Sequence, residues 1–218
     1  MKRFSLALVV ISLVLAVPAF AKDRFFDLTA AAVWVDPNSS GTFNSGDPNQ
    51  PFDISFDGKL GYGIAANIFL TDTVSLELAG SEVRPQAILR TRPTGFTTSG
   101  NDVKMIPLTA VLQWHLMPKS RIDLYIGAGA AYVLFDNLKN ASDAGNLSVR
   151  SIDFKDDAGL ALNAGLGIGL TDSLAITLDG KYVPLKSSAT AVFATGPNTT
   201  TKVKINPVMF SAGLTLRF

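Results

Sequence analysis

The sequence predicts an all-β protein, an eight-stranded antiparallel transmembrane β-barrel with short periplasmic turns and four long extracellular loops. Three observations carry that prediction. Apolar residues recur with period two through eight segments. Tight turns alternate with polar stretches of about 16–18 residues, which are uncommon as structureless connections in a compact soluble domain. After residue 21 no apolar run is long enough for a spanning helix, although the chain is 47% hydrophobic and 17% charged with mean hydropathy +0.28.

The N-terminus is set aside first. Lys2 and Arg3 precede an uncharged apolar stretch over residues 4–17, and Ala19-Phe20-Ala21 forms a small-residue cleavage site. That stretch falls short of the roughly 20 residues a spanning helix needs. Residues 1–21 therefore read as a cleavable signal peptide and residues 22–218 as the outer-membrane barrel.

The segments follow in order. The first shows Phe26, Leu28 and Trp34 on one face; the second, over residues 54–69, shows Ile54, Phe56, Leu60, Tyr62, Ile64 and Ile68. Val74, Leu76 and Leu78 mark the third, and Ile106, Leu108, Leu112, Trp114 and Leu116 the fourth. The fifth has Ile122, Leu124, Ile126, Tyr132 and Leu134, and the sixth Leu160, Leu162, Leu166 and Ile168. Leu174, Ile176, Leu178 and Tyr182 give the seventh, and Val208, Phe210, Leu214, Leu216 and Phe218 the eighth. Every one of these faces falls on even numbers. Turns at 70–73, 117–121 and 170–173 alternate with polar stretches at 36–53, 85–102, 136–153 and 186–201. An even number of strands closes the sheet and leaves no edge in lipid.

A soluble sandwich or lipocalin-like barrel also alternates, but it buries its bulky face. Here the odd face is small or polar, and eight strands enclose a narrow interior. Bulk therefore points out to lipid. Trp34 and Tyr132 near the loop ends, with Trp114 and Phe218 near the turn ends, give two interfacial aromatic girdles.

The odd residues sort by depth. Asp27, Glu77, His115, Asp123 and Arg217 lie near the turns and form a periplasmic plug. Enclosed charges must pair, so Arg217 is expected to face Asp27, Asp123 or Glu77. Farther out, Val33, Val35, Val83, Met105 and Pro107 line an apolar funnel, joined by Val133, Phe135, Val183, Leu185 and Met209. Asp57, Lys59, Lys155 and Asp157 interrupt this pattern by placing charge high on the second and sixth strands. Pro184 and Pro207 sit at similar heights on neighbouring strands and cannot donate to the ladder, which makes them a candidate lateral gap. Kinking without opening is the alternative.

Other chemistries find little support. Nineteen basic and 18 acidic residues leave a formal charge of +1, with no nucleic-acid footprint. The absence of Cys removes disulfides, thiolate nucleophiles and Cys-based zinc sites. The single His115 excludes a multi-His metal site, so neither metal nor cofactor is expected. Gly165-Leu166-Gly167-Ile168-Gly169 leads into a turn and another strand, with no helix to receive a phosphate, so these glycines only make room inside. A barrel hydrolase would need His115 beside a serine and an acid; Glu77 and Asp123 are expected as its charge partners, and no enzyme is expected.

Ile106-Pro107-Leu108-Thr109 with Gln113-Trp114, and Tyr125-Ile126-Gly127-Ala128-Gly129 leading to Tyr132 and Phe135-Asp136-Asn137, resemble the OmpW family of small outer-membrane channels. So do Lys155-Asp156 before Gly159, Pro207 before Ser211-Ala212-Gly213, and Leu60-Gly61 ahead of Thr71-Asp72 and Leu76-Glu77-Leu78. The resemblance implies a monomer in the bacterial outer membrane that passes small hydrophobic molecules inward and releases them sideways through its wall. Ala158 stands where the family often has tryptophan, so no gating role carries over to that position. The function expected is passive uptake of small hydrophobic molecules; the alternative is a structural or interaction barrel that displays its loops. Expected partners are membrane lipid and lipopolysaccharide, the solutes, and the outer-membrane assembly machinery, which would read the terminal Leu214, Leu216 and Phe218.

Overall fold

A computed structural model describes residues 24–44, 51–92, 95, 97–136, 138–139, 149–193 and 198–218. The expected signal peptide at 1–21 lies outside the described residues. Sixteen strands and no helix are found among the described residues. The first half of the chain holds β1 (Phe26–Asp36), β2 (Ser39–Phe43), β3 (Phe52–Phe56), β4 (Lys59–Phe69), β5 (Val74–Glu82), β6 (Gln86–Thr91), β7 (Thr97–Asp102) and β8 (Met105–His115). The second half holds β9 (Ile122–Phe135), β10 (Leu138–Lys139), β11 (Val149–Phe154), β12 (Asp157–Gly169), β13 (Leu174–Tyr182), β14 (Leu185–Phe193), β15 (Thr199–Ile205) and β16 (Val208–Arg217).

Eight of these close an antiparallel barrel in the order β1-β16-β13-β12-β9-β8-β5-β4. The C-terminal residue seals its seam, since Phe218 N–H donates to Phe26 O at 2.8 Å and Phe25 N–H to Phe218 O at 2.8 Å. The other eight form a second sheet, β10-β11-β14-β15-β2-β3-β6-β7, in the same circular order one storey above. The four polar stretches are thus hairpins that extend the barrel as a collar. Their alternation is most muted in β14, where small residues fill the inward positions. In β14, Ser187, Ala189 and Ala191 are buried beneath an outer face of Lys186, Ser188 and Thr190.

Side-chain direction follows the expected parity through the barrel. Leu60, Ile64, Leu160 and Phe210 are 59–69% exposed, whereas Ser75, Val133 and Ala161 are wholly buried. An exposed apolar belt of this extent is a lipid-facing surface. Trp34, Tyr132, Trp114 and Phe218 are all exposed on it.

Two places break the parity. Residues 54–69 were expected as one strand, but the strand ends at Phe56 and resumes at Lys59, and Ile54 points inward. The pairing partner slips by one residue across this break, from Phe56 opposite Ala87 to Tyr62 opposite Glu82. The same slip separates Phe154 opposite Ala189 from Leu162 opposite Tyr182, and Ile152 and Phe154 again point inward. A one-residue bulge swaps the two faces of everything beyond it. Asp57, Lys59 and Lys155 stand exposed at these bulges and Asp157 is half-buried beside one, so they do not place charge in the lumen as the parity alone suggested.

The tight turns below repeat one another. Leu70 and Thr71 N–H donate to Val74 O at 2.8 and 3.1 Å, and Leu170 and Thr171 N–H donate to Leu174 O at 2.8 and 3.0 Å. In both, the threonine hydroxyl accepts the N–H that follows, from Val74 at 2.9 Å and from Leu174 at 3.0 Å.

Candidate functional site

The lumen has a polar floor. Arg24, just before β1, donates to Asp27 through Nε at 2.9 Å and to Asp123 Oδ2 through Nη1 at 2.8 Å. One guanidinium therefore ties β1 to β9, and it also lies 4.4 Å over the Phe69 ring. A level higher, Lys181 holds Glu77 at 3.0 Å and also pairs with Asp179. Gln113 Nε2 donates to Glu77 Oε2 at 3.0 Å, while the Tyr125 hydroxyl and Asn163 Nδ2 donate to Asp179 Oδ2 at 3.0 and 3.1 Å. Gly165 makes the seat for that phenol, since a Cβ there would lie 2.4 Å from the Tyr125 hydroxyl. Paired charge and satisfied hydrogen bonds are what a narrow interior requires.

Between the two levels lies a Ser-His-Asp chain. Ser75 Oγ is 2.9 Å from His115 Nε2, and His115 Nδ1 is 2.8 Å from Asp123 Oδ2. Such spacing belongs to acyl-transfer triads, and Ser75 comes to His115 because β5 pairs Ser75 with Gln113 of β8. Access is what it lacks. Ser75 is 0% and His115 2% exposed, and the imidazole is enclosed by Phe69 and Tyr125 at ring distances of 4.9 and 5.4 Å. Ser75 sits on a strand paired on both sides, and neither the lumen cavity nor the periplasmic mouth is lined by Ser75 or His115. Within the described residues the chain links the two levels of the floor.

The upper lumen is apolar. Val35, Val83, Met105, Val133 and Val183 are at most 1% exposed, and Val33, Leu185 and Met209 nearly so. They meet Ile54, Leu89, Ile152, Ile205 and the stacked Phe43–Phe52 pair of the collar, whose rings lie 5.0 Å apart. Phe135 packs on Phe154 at 6.0 Å. The expected funnel residues are thus together and inward, but they pack against one another as a closed apolar stack. Between stack and floor lies a cavity of about 60 Å³, with Val33, Pro107 and Met209 above and Glu77, Asp179 and Lys181 below. That volume suits a few waters and not a hydrocarbon chain.

The prolines differ in what lies behind the wall. β13 and β16 keep register through Pro184 and Pro207, from Tyr182 opposite Val208 to Leu185 opposite Ile205, with Val183 N–H donating to Pro207 O at 3.1 Å. On its other side Pro184 faces the lapse beside the second bulge, which is packed shut. Gly159 lies so close there that a Cβ would come 2.8 Å from Pro184 O, and the Ser187 hydroxyl donates to Lys155 O at 2.6 Å. At Pro107 the β5–β8 ladder is interrupted after Gly80 opposite Leu108, and register is kept there too, through the doubly bonded Val83–Met105 pair and on to Gln86 opposite Asp102. Pro107 has no N–H to offer toward Ser81. The lumen cavity is lined by Gly80, Ser81 and Pro107, so it reaches the wall at this lapse.

The profile of the OmpW family matches residues 23–218. The chain belongs to the OmpW family. It is 29% identical over 118 residues to outer membrane protein AlkL of Ectopseudomonas oleovorans, a match covering 54% of this chain and 48% of AlkL, so the chain spans about half the length of that relative. It is 27% identical over 172 residues to an outer-membrane protein of Sinorhizobium fredii, y4mB, covering 76% of this chain and 69% of that one. Among solved structures, OprG from Pseudomonas aeruginosa superposes with TM-score 0.78 at 21% identity, over 89% of this chain and 96% of OprG. The E. coli outer membrane protein W superposes with TM-score 0.55 at 22% identity, over 91% and 100%. The protein is an outer-membrane β-barrel, and its family and fold are those of outer-membrane barrels rather than of enzymes.

For this OmpW-family barrel, sequence reasoning placed Asp27, Glu77, His115 and Asp123 in the floor, and all four are there, at most 3% exposed. It chose the wrong arginine as their partner. Arg217 lies opposite Asp27 across β1 and β16, yet it makes no ion pair among the described residues; Arg24 is the arginine that pairs with Asp27 and Asp123. Arg24 precedes the first alternating segment and carried no parity signal. Lys181 and Asp179 did carry one, since both fall on inward odd positions of the seventh strand.

Proposed function

We propose that the barrel is a passive channel for small hydrophobic molecules, which cross the apolar stack from outside and leave sideways through the wall near Pro107. The observation that carries this reading is the segregation by depth, with an apolar upper lumen over a charged floor. Burying apolar surface is favourable by roughly 25 cal/mol per Å², so the stack attracts what the floor refuses. A hydrocarbon that separated Lys181 from Glu77 would leave a buried charge unpaired, a cost of several kcal/mol. Sideways release costs least where the cavity already reaches a missing ladder bond, which favours Pro107 over Pro184 and Pro207. In this reading residues 1–21 are removed on export, the assembly machinery reads the terminal Phe218, and the barrel works as a monomer without catalysis, metal or cofactor.

The closed stack favours a second reading, a barrel that only displays its collar. Liposome uptake separates the two. A folded Val133→Asp variant adds at least about 1–3 kcal/mol of polar burial to the stack and should slow entry of an apolar solute while sugar entry stays at background. Unchanged apolar flux in that variant would favour display.

A further inference from the structure

Several exposed cations already have partners. Arg84 and Lys104 share Glu82, Arg92 holds Asp53, and Lys119 holds Asp72. Lys155, Lys186, Lys202 and Lys204 are different. All four are exposed on the outer face of the collar, and none makes an ion pair among the described residues.

The sheet brings these four together. β14 and β15 set Lys186 directly opposite Lys204, and Ser188 opposite Lys202. Lys155 joins the upper row, its N–H donating to Ser188 O at 3.0 Å, and Ser40 ends the lower row opposite Lys204. Rows two residues apart are about 6.6 Å from each other, and neighbouring strands about 4.8 Å. Like charges directly opposite on a sheet repel. Two acids border the patch: Asp156 turns its carboxylate to the Phe135 N–H at 3.0 Å, and Asp153, opposite Thr190 in the next row, makes no ion pair among the described residues, so four lysines outnumber them. The patch is net positive.

Its height narrows the choice of anion. Directly below on the same strands, Tyr182 and Phe210 are 40% and 59% exposed at the top of the lipid-facing belt. Lys186 lies four residues above Tyr182, about 13 Å along the strand and less along the barrel axis because strands tilt. Register is unbroken through Pro184 and Pro207, so lysines and aromatics are held in one fixed frame. A ligand that meets both must carry phosphates just above acyl chains. We propose that this patch binds the phosphorylated sugar head of the outer-leaflet glycolipid, with the Lys186–Lys204 row and the Lys155–Lys202 row each holding a phosphate.

The test uses the full barrel in phosphatidylcholine nanodiscs without divalent cation. Lipopolysaccharide, its dephosphorylated form or phosphatidylglycerol is added, and bound lipid is counted by native mass spectrometry, with folding read from heat modifiability. Lipopolysaccharide should bind and raise the unfolding midpoint by several degrees, while the other two should not. Lys186→Gln with Lys204→Gln should weaken binding at least tenfold, and Lys59→Gln, outside the patch, should leave it unchanged. Should the double variant fail to fold, Lys155→Gln with Lys202→Gln makes the same measurement on the other row. Equal binding of the dephosphorylated form or of phosphatidylglycerol, or undiminished binding by a folded double variant, overturns the assignment.

Discussion

The two halves of the lumen are built from opposite materials on the same strands. β5 carries Ser75 and Glu77 below and Gly80 above; β8 carries His115 and Gln113 below and Pro107 and Met105 above. Below, Arg24, Glu77, Asp123, Asp179 and Lys181 are fixed by directional bonds, so the floor resists opening. Above, contact is apolar and non-directional, so the stack can part and close again. Rigidity and permeability are thereby separated by depth rather than by domain.

The largest effect should come from unpairing the floor. Lys181→Met leaves Glu77 and Asp179 facing one another without their cation and should cost about 3–5 kcal/mol, read by urea unfolding in lipid. Adding Glu77→Gln and Asp179→Asn should restore much of that loss. If the single variant is as stable as the parent, the floor is not the rigid half.

Next is the lipid face at the same depth. Ala128→Arg, on an exposed even position, should cost about 2–4 kcal/mol near the midplane. Thr109→Arg, on the inward face beside the cavity, should unfold at higher urea than Ala128→Arg. The reverse order would contradict the assignment of faces.

A smaller change is expected at Ser75. Ser75→Ala removes one hydrogen bond of the floor, about 0.5–1.5 kcal/mol. The parent barrel should not react with a fluorophosphonate probe, because the serine is sealed. Covalent labelling of Ser75 in the folded barrel would show that the triad is open to substrate.

The smallest effect on stability, below about 1 kcal/mol, is expected for Pro107→Ala, which returns one ladder donor. If solute leaves there, apolar flux should fall, and Pro184→Ala should leave flux unaltered. Equal slowing by both would move the exit away from Pro107.

The barrel was legible because burial on one face and lipid on the other impose a strict period of two. Legibility failed at Ile54 and Phe56 because a bulge reverses the faces without altering composition. β14 of the collar reads as loop because its inward positions are filled by Ser187, Ala189 and Ala191, which give no apolar signal beside Lys186 and Ser188. Within the floor, parity found the residues but not their partners, since pairing depends on reach across the lumen. Arg24 reaches two carboxylates that Arg217, on a neighbouring strand, does not.

The paired turns and paired bulges have one more consequence. Leu70-Thr71-Asp72-Thr73-Val74-Ser75-Leu76-Glu77-Leu78 and Leu170-Thr171-Asp172-Ser173-Leu174-Ala175-Ile176-Thr177-Leu178 share their turn bonding, and Gly61 and Gly159 each press a strand against a carbonyl just after a bulge. β4 and β12 stand four places apart in a ring of eight, on opposite sides of the barrel. One hairpin of the barrel, β4–β5, recurs as β12–β13, and the two copies differ most where the inward side chains carry chemistry. Ser75 and Glu77 of one copy correspond to Ala175 and Thr177 of the other. The serine of the triad and the glutamate held by Lys181 are therefore a property of one copy alone, so two hairpins alike in turn and bulge enclose a floor that treats them differently.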